Sequence, residues 1–285
     1  MSDDGSPKRF PERPWPDKQG APDRSKRGAK PGRNDRADRP ERLPRVDGPH
    51  RTARPDRPHR PSQPRVPPPP IPDDVTPDEL DRSARAELRS LSKERADDVA
   101  RHLVMAGLLI DTDPETAYKH AQAARGGAGR VGAVREAAGL TAYATGRYAE
   151  ALAELRAARR ISGDPSHLPL LADAERGLGR PERALAFATD PDAQKLDEAG
   201  QVELRIVLAG ARRDLGQPQA ALVLLEGPDL DPAQFEPWTL RLWYAYADTL
   251  LDLGRTKEAR SYFEAVATAD EDGTTDAAER LAQLD

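Results

Sequence analysis

Gly146, Gly179, Gly216 and Gly254 are each followed, five residues later, by an alanine: Ala151, Ala184, Ala221 and Ala259. Together with Ala117, in "DPETAYKHA", these marker alanines are spaced 34, 33, 37 and 38 residues apart. Twelve residues before each stands another small or slender side chain, Met105, Gly139, Ala172, Ala209 and Ala247 in turn. A period of this length reads as repeated supersecondary units. Each unit is a helix, a turn at glycine, and a second helix whose early alanine lets the two backbones approach. Small side chains are required where helices cross closely, and glycine takes the positive φ that ends the first helix. From Thr76 onward there is no alternating strand pattern and no β-hairpin signal, so the body reads as all-α.

The ends of the helical text carry their own signals. Thr76 suits an N-cap, Pro77 the first helical position, and Asp78 and Glu79 the positive end of the helix dipole. Leu80, Ala84, Leu88 and Leu91 then form one apolar stripe, predicting a capping helix over residues 77–91. At the other end "TDAAERLAQL" predicts an amphipathic capping helix. The longest apolar run, Leu103 to Ile110, is far short of the roughly 20 residues needed to span a bilayer and is expected to be a buried helix.

A helical hairpin of this period, with Gly at the turn and Ala five residues later with a Tyr between them, as in "GRYAEA", resembles the tetratricopeptide repeat of a bacterial protein. The resemblance covers residues 94–270. It is carried best by residues 131–164, through Gly139, Gly146, Tyr148, Ala151 and Ala158, and by residues 240–272, through Trp243, Gly254, Ala259 and Phe263. Between them Pro181 and Pro218 replace the tyrosine, and around Ala117 the turn "DTDPET" has no glycine. The resemblance implies about five hairpins stacked as a right-handed superhelix, a tetratricopeptide-like α-solenoid over residues 73–285. The linkers "DPDAQKLDEAG" and "GPDLDPAQFEP" lengthen two periods without breaking the stack, because each unit contacts only its neighbours.

Residues 1–72 read differently. They hold 18 of the 28 prolines, 18 Lys/Arg against 10 Asp/Glu, and only 11 apolar residues, too few to offset a backbone ordering cost of roughly 1–2 kcal/mol per residue. A disordered basic tail is expected, with the prolines at 67–70 forming a stiff polyproline spacer. Three roles remain open for it: a solubilising extension; an RNA or ribosome tether, with Arg on phosphates and Phe10 and Trp15 stacking on bases; or a proline-motif ligand or a segment lying on the protein's own acidic body. Residues 73–285 carry 26 basic against 39 acidic side chains, opposite in sign to the tail.

Searches for chemistry return little. There is no cysteine, which removes disulfides, thiolate metal sites and cysteine nucleophiles and fits a reducing compartment. The start of the chain has no apolar stretch after its charges, so a cytoplasmic location is expected. His102, His120 and His167 lack the spacing of a helical zinc site, and "RGGAGRVG", taken as a turn between hairpins, lacks the Lys-Ser/Thr ending of a phosphate loop. The expectation is a non-enzymatic module with no cofactor and no metal.

In tetratricopeptide folds the first helix of each hairpin lines the concave surface. The resemblance nominates His102 and Leu109 in the first unit; Glu136, Leu140 and Tyr143 in the second; Asp173 and Arg176 in the third; Glu203 and Arg213 in the fourth; and Arg241, Tyr244 and Asp248 in the fifth. The Lys/Asn clamp with which one subclass grips a C-terminal carboxylate is absent: the corresponding pairs include His102/Ala106, Glu136/Leu140 and Tyr244/Asp248. The partner expected is a protein or peptide with basic and apolar side chains, with RNA or the ribosome as the alternative through the tail, and no membrane. In "EPWTLRLWYAYADTLLDLG", Trp243 and, beyond it, Phe263 are expected in the core of the last hairpin, while Trp238 and Tyr244 are freer for contact.

Overall fold

The computed structural model describes residues 67–231 and 235–284. The disordered-tail expectation, Phe10 and Trp15 included, lies outside the described residues except for its last few positions, 67–72. There the four prolines carry no regular secondary structure.

Every regular element among the described residues is helical. A short α1 (Arg82–Glu87) precedes five hairpins: α2 (Lys93–Leu109) with α3 (Pro114–Ala128), α4 (Gly132–Ala144) with α5 (Tyr148–Ser162), α6 (Leu168–Gly177) with α7 (Pro181–Leu185), α8 (Glu198–Asp214) with α9 (Pro218–Leu225), and α10 (Thr239–Asp252) with α11 (Thr256–Ala269). The expected C-terminal capping helix is α12 (Ala277–Gln283). The linkers before α8 and α10 each hold one 3₁₀ turn, Ala193–Lys195 and Pro228–Leu230, and α7 runs on into a third, Ala186–Thr189.

The repeat spacing has the physical origin expected of it. Ala117, Ala151, Ala184, Ala221 and Ala259 are all fully buried, each in the first turn of its second helix. Gly146, Gly179, Gly216 and Gly254 all take positive φ, between 68° and 72°. In all four turns the glycine N–H bonds back three residues and the next N–H bonds back five, as in Gly146 N to Tyr143 O (2.9 Å) and Arg147 N to Ala142 O (2.8 Å). This Schellman closure satisfies the last carbonyls of the first helix and turns the chain into the second. A side chain on Gly139 would put its Cβ 2.6 Å from Leu155 Cγ and 3.0 Å from the Leu155 backbone N, so α4 and α5 lie too close there for anything larger than hydrogen.

The hairpins bury their apolar faces in a file of three clusters. One joins α2, α3 and the start of α4 around Val99, Leu103 and Val134; the second runs from α4 to α8 around Leu155, Leu168 and Leu171; the third joins α8 to α12 around Leu222, Trp243 and Phe263. Each element therefore gains its burial from its immediate neighbours, which is the energetic signature of a solenoid. The fold is a tetratricopeptide-like α-solenoid. Trp243 and Phe263 are buried as expected, with Trp243 Nε1 donating to the Asp229 carbonyl at 3.0 Å.

Four details depart from the sequence reading. The capping helix over 77–91 is broken into a 3₁₀ turn (Pro77–Glu79), α1 and a second 3₁₀ turn (Leu88–Ser90). Thr76 and Glu79 do form a capping box, but Leu80 is extended and Asp81 starts again as the N-cap of α1, its carboxylate accepting from Ser83 N at 2.7 Å. A second strong cap five residues after the first interrupts the helix that the first began. In "RGGAGRVG", α3 continues through Gly126, Gly127 and Ala128, and only residues 129–131 turn; at Gly127 the missing side chain leaves room for the Arg95 guanidinium. The run Leu103–Ile110 is not wholly buried, for Leu108 is 62% exposed.

The fourth departure is one of register. The first helices of units one and two end at Leu109 and Ala144, 35 residues apart, whereas their marker alanines are 34 apart. The turn between α2 and α3, residues 110–113, is one residue longer than the turn 145–147. It lacks the positive-φ glycine and closes instead through Asp113 N to Leu109 O at 2.7 Å. Counted from the helix ends, His102 corresponds to Ala137, which is buried, and Glu136, Leu140 and Tyr143 correspond to Arg101, Met105 and Leu108. Met105 is accordingly only half-buried, not the close-approach residue of its unit.

Candidate functional site

The first helices α4, α6, α8 and α10, followed by α12, present a continuous row of polar side chains that pair from one helix to the next. His167, which precedes α6, lies 3.0 Å through Nε2 from Glu136 Oε1 on α4. The Tyr143 hydroxyl donates to Asp173 on α6. Asp173 also accepts from Arg176 Nη1 at 2.8 Å, and Arg176 reaches α8 with a forked contact to Asp214, 2.7 and 3.2 Å. Arg213 carries the row to α10, contacting Asp252 and, at 3.3 Å, Asp248. Asp248 is shared with Arg280 of α12, and the Tyr244 hydroxyl donates to Asp276 at the start of that helix.

Beneath this row Glu203 and Arg241 face each other at 3.2 Å, with Glu203 only 4% exposed. Burial pulls the Arg241 guanidinium below its usual range, while Tyr143 and Asp173 act in the opposite sense. Burial, and then the charge of Asp173, push the Tyr143 phenol well above its ordinary value, so it remains a hydrogen-bond donor at any physiological pH. The Tyr244 phenol is raised in the same way, by burial and the bond to Asp276. Gly210 has a clear role here: a Cβ on it would lie 2.5 Å from the Arg176 guanidinium carbon, so its absence lets that arginine lie flat across α8.

The structure thus joins Tyr143, Asp173 and Arg176 with Asp214 in one set and Arg213 and Asp248 with Asp252 and Arg280 in another, while Glu136, Tyr244 and the Glu203–Arg241 pair each meet a partner of their own along the same row. Leu140, 9% exposed, lies under it in the second apolar cluster. Leu109 is half-buried at the end of α2. His102 stands apart: it is 4% exposed and its ring meets His120 of α3, as the register shift requires. Sequence reasoning missed His167, Asp214, Asp252, Asp276 and Arg280. Their signal was available, because each lies 31 to 39 residues from the side chain it joins, close to one repeat period.

Hairpin five has its Schellman turn at Gly254 and its buried Ala259 and Phe263, with Thr256 in the place of the tyrosine. Residues 240–272 match the tetratricopeptide repeat family. The tetratricopeptide repeat is a protein-interaction module and typically a non-enzymatic scaffold, and the match carries no information on the source of the chain. The other four hairpins share its architecture and, apart from the first, its turn. No curated protein matches the chain. Among the described residues no helix is long and apolar enough to cross a membrane, and no cluster of three or more His, Asp or Glu side chains could hold a metal ion.

Proposed function

We propose that the tetratricopeptide-like body, taken as residues 73–285, holds an extended or helical segment of a partner protein along the surface built by its first helices, the concave face of the family. The observation that carries this reading is the row from Glu136 to Arg280. Side chains on α4, α6, α8, α10 and α12 are held in place by one another, and Asp173, Arg176, Asp214, Arg213, Asp252 and Arg280 among them are part-exposed. A surface ordered before its ligand arrives loses little conformational entropy on binding. Its chemistry favours a basic partner: the row contains six carboxylates (Glu136, Asp173, Asp214, Asp248, Asp252, Asp276) against three guanidiniums (Arg176, Arg213, Arg280), a formal charge of −3. Leu108, exposed at the end of α2, adds an apolar step in the place that Tyr143 holds in the next repeat.

A matched pair of photo-crosslinking positions tests this in the full-length protein. Leu108 on a first helix and Val223 on a second helix are equally prominent, 62% and 60% exposed. With a photoreactive side chain at either position, partner peptides from native cells should crosslink from position 108 and not from 223, and Asp248→Asn with Asp252→Asn should reduce the yield at 108. Equal yields from both positions refute the proposed face. The RNA or ribosome tether is an expectation about residues that fall, up to 66, outside the described ones; salt-sensitive co-sedimentation with ribosomes, lost on deleting the tail, is its test.

A further inference from the structure

The least expected feature of the interior is the contact between His102 of α2 and His120 of α3. The rings are 4% and 1% exposed, their Nδ1 atoms are 2.9 Å apart and their centroids 5.1 Å apart. One Nδ1 must donate and the other accept, and because burial disfavours the charged form of both rings the closed contact is a pair of neutral imidazoles of complementary tautomers. A proton added to the accepting nitrogen removes the acceptor and places a cation in an apolar cluster. Two added protons set two cations against each other.

The surroundings offer little relief. On α2, Asp98 favours a charged His102 and Arg101 opposes it; on α3, His120 is opposed in its charged form by His102, the ring it touches. The N-terminal segment and α4 contribute Leu88, Val134 and Ala137 to the cluster, all apolar. Burial lowers His102 below its ordinary value, and burial together with His102 lowers His120 to about 4 from 6.5.

We propose that the His102–His120 contact is an acid-sensitive latch: protonation separates α2 from α3 and opens the first hairpin while the rest of the stack stays closed. The sign follows from linkage. Between about 6.5 and about 4 the opened chain binds protons that the closed hairpin excludes, so the closed state is fully favoured above that window and loses ground as pH falls through it. Opening α2 also releases the N-terminal segment, because Arg101 on that helix holds the carbonyls of Val75 (2.8 Å) and Pro72 (2.9 Å). The inference concerns this hairpin's stability and stands whether or not the concave face binds a peptide.

Amide hydrogen exchange on the full-length protein tests it. After correction for intrinsic rates, exchange in α2 and α3 relative to α10 and α11 should rise by up to about tenfold per pH unit on acidification across the window. His120→Gln, which accepts no proton, should flatten that dependence. Should this variant fail to close the hairpin even at neutral pH, imidazole NMR titration of the wild-type protein decides the matter: the rings should resist protonation until well below their ordinary value. Ordinary titration of both rings, or acid-induced exchange that is uniform along the stack, overturns the proposal.

Discussion

Replacing Gly139 by alanine sets two well-known effects against each other, and the structure determines which prevails. Alanine in a helix interior is favoured over glycine by up to about 1 kcal/mol, and Gly139 lies in the middle of α4. The new Cβ, however, would sit 2.6 and 2.7 Å from the Cγ and Cδ2 atoms of Leu155 and 3.0 Å from its backbone nitrogen. Carbon contacts are relaxed at roughly 3.5–4.0 Å. Leu155 is fully buried, and the backbone atom cannot swing aside, so α5 has to retreat along the seam that it shares with α4. Overpacking of this kind costs about 1–3 kcal/mol, so a net destabilisation of about 1–2 kcal/mol is expected. Gly107, in α2, supplies the control. A Cβ there meets nothing within 4 Å, so Gly107→Ala should stabilise by about 0.5 kcal/mol through propensity alone. Urea or thermal unfolding followed by far-ultraviolet circular dichroism reads both, with about 2–4 °C of Tm per kcal/mol for a body of this size. A Gly139→Ala protein as stable as the wild type, or more so, would refute the claim that close helix approach sets the repeat pattern.

Three further outcomes are expected. Arg241→Met removes the guanidinium that faces buried Glu203, and should cost about 2–4 kcal/mol; Glu203→Gln in the same chain should restore at least half of that, and a double-mutant cycle measured by denaturant unfolding shows whether it does. Burial would raise the Asp270 carboxylate, but hydrogen bonds from Thr275 and Thr274 outweigh it and hold the group at about 2. Because its folded pKa lies below the unfolded value, its contribution is complete above the ordinary carboxylate range and is lost as pH falls through about 2; the stability difference between wild type and Asp270→Asn should therefore be constant near neutrality and vanish in strong acid. Trp243→Phe abolishes the bond from Nε1 to the Asp229 carbonyl in a fully packed site, and should lower stability by about 1–2 kcal/mol in thermal unfolding without changing helix content.

The helical class, the positions of four turns and the buried alanines were all legible because each depends on a residue type with one physical use: glycine at positive φ, alanine at a helix crossing. What depended on counting was less secure. The first hairpin has no turn glycine, so nothing in the text of residues 110–113 announces a turn one residue longer than its neighbours. One residue rotates a helix by about 100°. That rotation moved His102 from the groove to the interior and Leu108 from the interior to the surface. The break at Leu80 is of another kind: Thr76 and Asp81 are both competent caps and both are used, so the second stops the helix that the first began. The candidate face was half legible. The chosen residues do converge, but the partners that hold them belong to the next repeat and depend on how successive hairpins twist.

That dependence follows a rule. Tyr143 joins Asp173, Arg176 joins Asp214, Arg213 joins Asp248 and Asp252, and Asp248 joins Arg280, at separations of 30, 38, 35, 39 and 32 residues. Against local periods of 33, 37 and 38 residues, Tyr143–Asp173 and Arg213–Asp248 fall three residues short, nearly one helical turn, while Arg176–Asp214 and Arg213–Asp252 run one residue long, so a residue on a first helix meets the neighbour of its own equivalent on the next or the turn before it. The same step that packs the buried alanines therefore also links the polar groups of the face, and a change in one hairpin's register disturbs both. A ligand on this face meets donors and acceptors that already have partners. It must exchange charge-assisted bonds for others like them, and part-exposed pairs of this kind are worth only about 0–1 kcal/mol each. Affinity gained in this way is modest, salt-sensitive and distributed over several repeats. On the reading proposed above, selectivity would come from matching the spacing of basic side chains on the partner to the spacing of Asp173, Asp214 and Asp248, which the stacking of successive hairpins sets.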